Sequence, residues 1–300
     1  MKIVIALGGN ALGNNPKEQL ELVRKSAKSI VDLIEDGHDV VLTHGNGPQV
    51  GMINNGLSQV PFAECNAMSQ GYIGYHLQNG IREEMLKRNI DRSIATIVTQ
   101  VLVDKDDPAF KRPTKPIGGF YSREEAERLA KETSYTFVED SGRGYRRVVS
   151  SPRPIDIVEL DMVSTLVENN YIVITVGGGG IPVYREGNRL IGIDAVIDKD
   201  FASAKLAEKL DADYLIILTA VEKVAINYGK EDEKWISRLD IESANRYIDE
   251  GHFASGSMLP KVEATMEFVQ SKKGRKALIT SLEKAALGIK GKAGTIIEYR

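Results

Sequence analysis

Two lysines stand where helices begin. Lys199 lies between Asp198 and Asp200, ahead of an alanine-rich stretch, and Lys261 follows the turn Gly256-Ser257-Met258-Leu259-Pro260. An ammonium beside the unpaired N–H groups of a helix N-terminus makes a strongly anion-seeking place. Asp198 and Asp200 can hold the lysines in position or bind magnesium. Taken alone, Lys199 reads more readily as a surface lysine paired with its neighbours. Three glycine loops change the weight of that reading. They are Gly8-Gly9-Asn10-Ala11, Gly45-Asn46-Gly47 and Gly177-Gly178-Gly179-Gly180. Without a Cβ, glycine lets backbone N–H groups approach an anion closely and form a nest around it. Four adjacent glycines carry a large entropic cost, more than a plain turn needs, so close approach to a ligand is expected there. The chemistry that cations and glycine loops serve together is phosphate binding and phosphoryl transfer.

The elements that must carry these residues are strands and helices in alternation. Ile3-Val4-Ile5-Ala6-Leu7 reads as a strand buried on both faces, running straight into Gly8. A helix with an apolar side follows over residues 16–35, then a buried strand at 39–43 that ends in His44-Gly45-Asn46-Gly47-Pro48-Gln49-Val50-Gly51. A helix is expected at 70–88 and a strand at 93–103. A helix at 156–169 leads to the strand 171–176 and its glycines, followed by a polar hairpin at 184–193. A helix at 201–210, a strand at 214–218, helices at 241–250 and 260–272, and closing strands at 276–279 and 295–299 complete the pattern. Such alternation predicts an α/β fold: a three-layer αβα sandwich with a mostly parallel central sheet. Residues 1–300 read as a single domain. Within it, 105–154 are charged, carry proline and glycine, and lack long apolar runs. They are expected to form an inserted subdomain projecting from the main sheet, because an unstructured loop of that length is improbable. A lid over the site is favoured over a dimerisation appendage, since Lys115 and Arg146 offer cations to an anionic substrate.

Composition narrows the classes further. A net charge of −3 gives no electrostatic reason to expect nucleic acid or an anionic membrane as partner. One cysteine, Cys65, permits no intramolecular disulfide and no thiolate zinc site. The four histidines are scattered without metal-ligand spacing, so no histidine metal site is expected. No apolar run approaches membrane-spanning length and no signal peptide is recognisable, which points to the cytoplasm. The spacing G-x-G-x-x-x-G at 45–51 is one residue longer than the dinucleotide fingerprint, and no ribose-binding acid follows, which speaks against a nicotinamide dehydrogenase. Walker and protein-kinase motifs are absent.

The ordered set of motifs is specific where each alone is weak. Gly8-Gly9-Asn10-Ala11, the stretch 44–51, Lys115-Pro116-Ile117-Gly118, the glycines 177–180 with Ile181-Pro182-Val183, Asp198-Lys199-Asp200, and Pro260-Lys261-Val262-Glu263-Ala264 together resemble carbamate kinase, of the amino-acid kinase superfamily. The resemblance spans essentially the whole chain. It implies reversible phosphoryl transfer between carbamoyl phosphate and ADP, giving carbamate and ATP, with Mg2+, in a homodimer. Carried over by position, Lys199 and Lys261 would stabilise the moving phosphoryl group, Asp200 would organise them with Asp198 beside it, and Lys115 would reach in from the insertion. Gly8, Gly9, Asn10, Gly45, Asn46, Gly47, Gly178 and Gly179 would bind the substrate end. Asp198, Thr219, Val224, Tyr228 and Met258 would serve the nucleotide. The absence of an evident histidine or cysteine nucleophile fits direct in-line transfer. The chain departs from the family pattern at Val176, Gly119, Glu222 and Ala225, and none of these removes a charged group. An acetylglutamate or uridylate kinase is the nearest alternative, and a non-catalytic nucleotide or carbamoyl-phosphate sensor is another. The Lys115 stretch and the long insertion argue against the first, the full set of charged groups against the second.

Overall fold

In the computed structural model, the described residues are 1–8, 12, 16–57, 59–140 and 142–299. The proposed ligands Gly9 and Asn10 lie outside them. An eight-stranded sheet forms the centre, in the order Arg238–Asp240, Thr295–Glu298, Lys276–Ser281, Tyr214–Thr219, Lys2–Leu7, Asp39–His44, Ile172–Ile174, Ile94–Thr96. Lys2–Leu7 pairs in parallel with both Asp39–His44 and Tyr214–Thr219, and only the pairing of Lys276–Ser281 with Thr295–Glu298 is antiparallel.

Side-chain alternation along the strands divides the core into two layers. Ile3, Ile5 and Leu7 join Val40, Leu42, Ile172 and Ile216 against helices Pro16–Glu35 and Phe62–Lys87. Val4 and Ala6 join Val41, Val173, Leu215 and Ile217 against helices Leu160–Glu168, Lys199–Lys209 and Met258–Gln270. A strand whose odd and even residues are both buried must have helices on both faces, and the three-layer architecture follows.

Several expected boundaries move. The strand expected at 93–103 is two strands: Ile94–Thr96 ends the main sheet, while Gln100–Leu102 enters a second sheet between Ile181–Glu186 and Asp156–Ile157. The helix expected from 156 starts at Leu160, because Ile157 pairs with Val101. Gly47–Gly56 is a helix with Pro48 in its first turn, where proline costs no hydrogen bond. Its glycines and asparagines conceal the helical period in the sequence.

Residues 115–149 carry their own antiparallel sheet, ordered Lys115–Tyr121, Tyr145–Val149, Thr136–Glu139, with the helix Arg123–Glu132. That helix starts with a capping box in which Ser122 and Glu125 satisfy each other's backbone N–H. The small sheet is tied to helix Gly47–Gly56: Arg147 donates to Asn54 Oδ1 at 2.6 Å and Asn55 donates to the Tyr121 hydroxyl at 2.9 Å.

Candidate active site

The carboxyl ends of neighbouring parallel strands deliver the motifs to one edge. Leu7 is paired with His44, and Ala6 with Ile217, so Gly8, Gly45 and Thr219 emerge side by side. Helix Lys199–Lys209 opens at the same edge, with the Asp198 carboxylate as its cap, accepting from the Asp200 N–H at 2.9 Å.

Asp200 is the pivot. It is 3% exposed, and both carboxylate oxygens are taken by ammonium groups. Lys199 Nζ donates to Oδ1, and Lys261 Nζ donates to Oδ2 at 2.8 Å. Lys115 Nζ, arriving from the small sheet, donates to Asp198 Oδ2 at 2.5 Å. Three lysines against two aspartates leave this cluster one positive charge in excess. A buried carboxylate would ordinarily hold its proton. Burial pushes the Asp200 carboxyl up, but the charges of Lys199 and Lys261 and their hydrogen bonds outweigh it and hold it well below the usual carboxylate range. The lysines diverge. Burial lowers Lys199, and the charge of Lys261 adds to that effect against the pull of Asp200. In Lys261, burial also acts downward, but Asp200 outweighs it and the net direction is up.

The helix bearing Lys199 is anchored from below: Ser203 Oγ donates to the Lys199 carbonyl at 2.5 Å and lies 2.6 Å from Thr43 Oγ1. His44 is fully buried beside this contact. Its Nδ1 donates to the Gly45 carbonyl at 2.9 Å, and Nε2 has no hydrogen-bond partner among the described residues. Burial drives its pKa down to about 4, the Gly45 hydrogen bond opposing and the Lys199 charge adding, so it is a neutral imidazole at neutral pH.

Three cavities meet on these lysines. The smallest, about 140 Å³, is lined by Gly45, Asn46, Gly47, Lys115, Gly178 and Lys199. A second, about 230 Å³, is lined by Thr219, Ala225, Tyr228, Trp235, Met258 and Lys261. The third, about 420 Å³, joins them through Gly8, Lys199, Thr219 and Lys261. A small cationic chamber and a partly aromatic cleft thus share one lysine-lined junction.

Most residues singled out from the sequence converge here, and a few stand back. Val224 is fully buried, donating its N–H to Thr295 Oγ1 at 2.8 Å, while Ala225 faces the aromatic cleft. Asp198 stands with Lys115 rather than along that cleft. Gly178 lines the small chamber, whereas a Cβ on Gly179 would meet the Ile197 carbonyl at 2.2 Å. Trp235 and Val221 also line the cleft, and nothing local in the sequence marks them for it. An aromatic in a short hairpin looks like packing until the fold brings it beside Tyr228, ring centroids 6.0 Å apart.

Known proteins share this arrangement of elements. The profile of the amino acid kinase family matches residues 1–281. The chain belongs to the amino acid kinase family. It is 60% identical over 306 residues to the carbamate kinase-like protein YqeA of Escherichia coli, covering 99% of this chain and 98% of that one. It is 56% identical over 312 residues to a carbamate kinase of Clostridium perfringens, covering 99% of both. The carbamate kinase of Giardia lamblia bound to AMP-PNP superposes with a TM-score of 0.91 at 44% identity, over 100% of this chain and 98% of that one. The protein is therefore a kinase, a phosphotransferase of the carbamate kinase type within that family.

Proposed function

We propose that the enzyme transfers the phosphoryl group of carbamoyl phosphate to ADP, reversibly. The bond from phosphorus to the carbamoyl oxygen breaks, a bond to a terminal β-phosphate oxygen of ADP forms, and carbamate leaves. The observation that carries this reading is the pair Lys199 and Lys261 on one buried carboxylate, at the junction of a small cationic chamber and an aromatic cleft. Carbamoyl phosphate fits the small chamber by size and charge, between the backbone of residues 45–47 and the Lys115 and Lys199 ammoniums. The adenine of ADP takes the cleft with Tyr228, Trp235 and Met258, which brings its β-phosphate to Lys261.

Phosphoryl transfer asks the protein for in-line placement and for charge to offset the equatorial oxygens. Lys199 faces both the chamber and the junction, and Lys261 both the cleft and the junction. In this reading each stabilises one side of the moving group, and Asp200 keeps the two ammoniums a fixed distance apart. Lys115 gives up Asp198 for the substrate when the small sheet closes as a lid.

Magnesium is part of the same proposal as a companion of the nucleotide's phosphates. The protein has no cage ready for it: among the described residues no group of three or more histidine, cysteine, aspartate or glutamate side chains is placed to hold a metal. Asp198 and Asp200 are both committed to ammonium groups. The ion is accordingly assigned to the substrate, and no step is routed through a protein-bound metal. A homodimer belongs to the proposal as well, supported by Met68 and Tyr75, which stand exposed on helix Phe62–Lys87. Sedimentation at twice the chain mass of 33.0 kDa is the expected result. Among the described residues no helix is long and apolar enough to cross a membrane, and a cytoplasmic location is proposed with the substrates.

The deciding experiment follows ATP in a coupled assay with carbamoyl phosphate, ADP and Mg2+, beside acetylglutamate with ATP and UMP with ATP. ATP formed well above spontaneous decomposition, with the other pairs silent, is expected. Nucleotide binding without ATP formation overturns the substrate assignment and favours a sensor.

A further inference from the structure

The glycine loop after Ile172–Ile174 is held in an unfavourable backbone conformation. Val176 has φ +51°, and Gly178, Gly179 and Gly180 follow at +68°, +90° and +85°. A β-branched residue at positive φ is an outlier that survives only where its surroundings enforce it. The enforcement comes from helix Phe62–Lys87. Gln70, 1% exposed, donates from Nε2 to the Gly177 carbonyl and to the Thr99 carbonyl, each at 3.0 Å, and accepts from the Thr99 N–H at 2.7 Å. Thr99 passes the grip on: its Oγ1 accepts from the Val176 N–H at 3.1 Å. One amide side chain thus has both its donors and its acceptor spent on backbone, at the point where the loop turns left-handed.

The same stripe of the helix holds the facing loop. Asn46 Nδ2 donates to Asn66 Oδ1 at 3.1 Å and to Ser69 Oγ at 2.8 Å. Asn46 and Gly178 are in contact, since a Cβ on Gly178 would come within 2.1 Å of Asn46 Nδ2. Both line the small chamber with Lys115 and Lys199. Asn66, Ser69 and Gln70, spaced i, i+3, i+4, are one buried polar stripe beneath that chamber. A core position serving stability alone is better filled by an apolar side chain, because buried amides gain little and cost much when imperfectly paired.

We propose that Gln70 is a positioning residue for phosphoryl transfer: by clamping Thr99 and Gly177 it sets the backbone of residues 176–180, and with Asn66 and Ser69 it fixes the wall of the acyl-phosphate chamber. This rests on carbamoyl phosphate occupying that chamber. The test replaces Gln70 in the full-length enzyme by Met, of similar length without hydrogen bonds, and by Glu, which keeps the acceptor but sets a carboxylate against two carbonyls. Both variants are expected to raise KM for carbamoyl phosphate at least tenfold while leaving KM for ADP within twofold. Parallel changes in both constants, or in neither, overturn the proposal. Hydrogen exchange supplies a readout independent of any substrate. Gly179 and Gly180 N–H donate to the Val176 and Gly177 carbonyls at 3.1 and 3.0 Å. Their protection is expected to fall in Gln70→Met and Gln70→Glu while strand Lys2–Leu7 stays protected. Unchanged exchange at 176–180 overturns the clamp. A wild-type enzyme inactive on carbamoyl phosphate overturns the substrate reading alone, and the exchange data then decide the role of Gln70.

Discussion

Gly51 and Gly118 meet backbone to backbone: a Cβ on Gly51 would lie 2.1 Å from Gly118 Cα and 2.3 Å from its nitrogen. Gly51 belongs to helix Gly47–Gly56 and Gly118 to the strand that begins with Lys115. The contact fixes how closely that strand approaches the small chamber lined by Lys115 and Lys199, and so where Lys115 reaches. Gly51→Ala must push the two backbones apart, since no flexible side chain can yield there. The expected result is a KM for carbamoyl phosphate raised about tenfold, roughly 1.4 kcal/mol of lost binding, with ADP affinity unchanged. Steady-state kinetics beside a nucleotide titration checks it, and unaltered kinetics would mean that the contact has no bearing on Lys115.

Removal of either ammonium from Asp200 tests its catalytic role while the other ammonium still balances the carboxylate. Lys199→Ala or Lys261→Ala is expected to reduce turnover at least a hundredfold, about 3 kcal/mol of barrier, comparable to loss of an oxyanion donor. Near-normal turnover in either variant would refute its role.

Asp200→Asn has a different consequence. It leaves Lys199 and Lys261 close together without the carboxylate that balances them. Breaking a buried ion pair from one side costs about 3–5 kcal/mol, so this variant is expected to lose stability as well as activity. Denaturant unfolding is the check, and a midpoint equal to wild type would show that Asp200 is not the structural pivot.

Much of this arrangement is readable from residue types in order. The strand Lys2–Leu7 shows itself by five consecutive apolar residues, and Asp198-Lys199-Asp200 by charge at a helix start. What stays hidden is non-local or masked by composition. Nothing in the sequence near Lys115 announces Asp198, which lies 83 positions away. Helix Gly47–Gly56 is poor in apolar residues, so no 3.6-residue period emerges. Asn66, Ser69 and Gln70 sit in a helix whose apolar residues suffice to explain it, and their spacing becomes informative only once the glycine loops are known to lie against that face. The glycines at 177–180 point to close approach, and the structure gives that approach protein partners: added Cβ atoms would strike His44, Asn46, Ile197 and Val101.

His44 makes acid sensitivity a measurable property of the site. Its pKa in the folded protein is about 4 against an ordinary value of 6.5, so the unfolded chain binds the extra proton first. Its contribution is complete above pH 6.5 and is lost as pH falls towards 4, at about 1.4 kcal/mol per pH unit and about 3 kcal/mol in all. Asp200, lowered from 3.8, loses its contribution only below that value, so the two windows are distinct. His38 and His76 are also lowered by burial, so wild type is compared with His44→Asn, whose side-chain amide can still donate to the Gly45 carbonyl. The stability curve of that variant is expected to be flatter between pH 6.5 and 4. Identical slopes would show that the buried imidazole does not govern the acid limb.

Trp235 offers a direct test of where the nucleotide goes. It is the chain's only tryptophan, and it lines the cleft with Tyr228, Met258 and Lys261. An adenine inserted beside Tyr228 must alter the indole's surroundings, so titration with ADP is expected to change the tryptophan emission along a saturating curve. Carbamoyl phosphate alone, confined to the chamber at Lys115, should leave the emission unchanged. Stacking a base on an aromatic side chain contributes about 1–3 kcal/mol, so Tyr228→Ala should weaken ADP binding roughly fivefold or more. A constant emission through a range of ADP that saturates turnover would place the base outside this cleft. In that event Lys261 would lose its assignment to the nucleotide's terminal phosphate, while the chamber at Lys115 and Lys199 would stand unaffected.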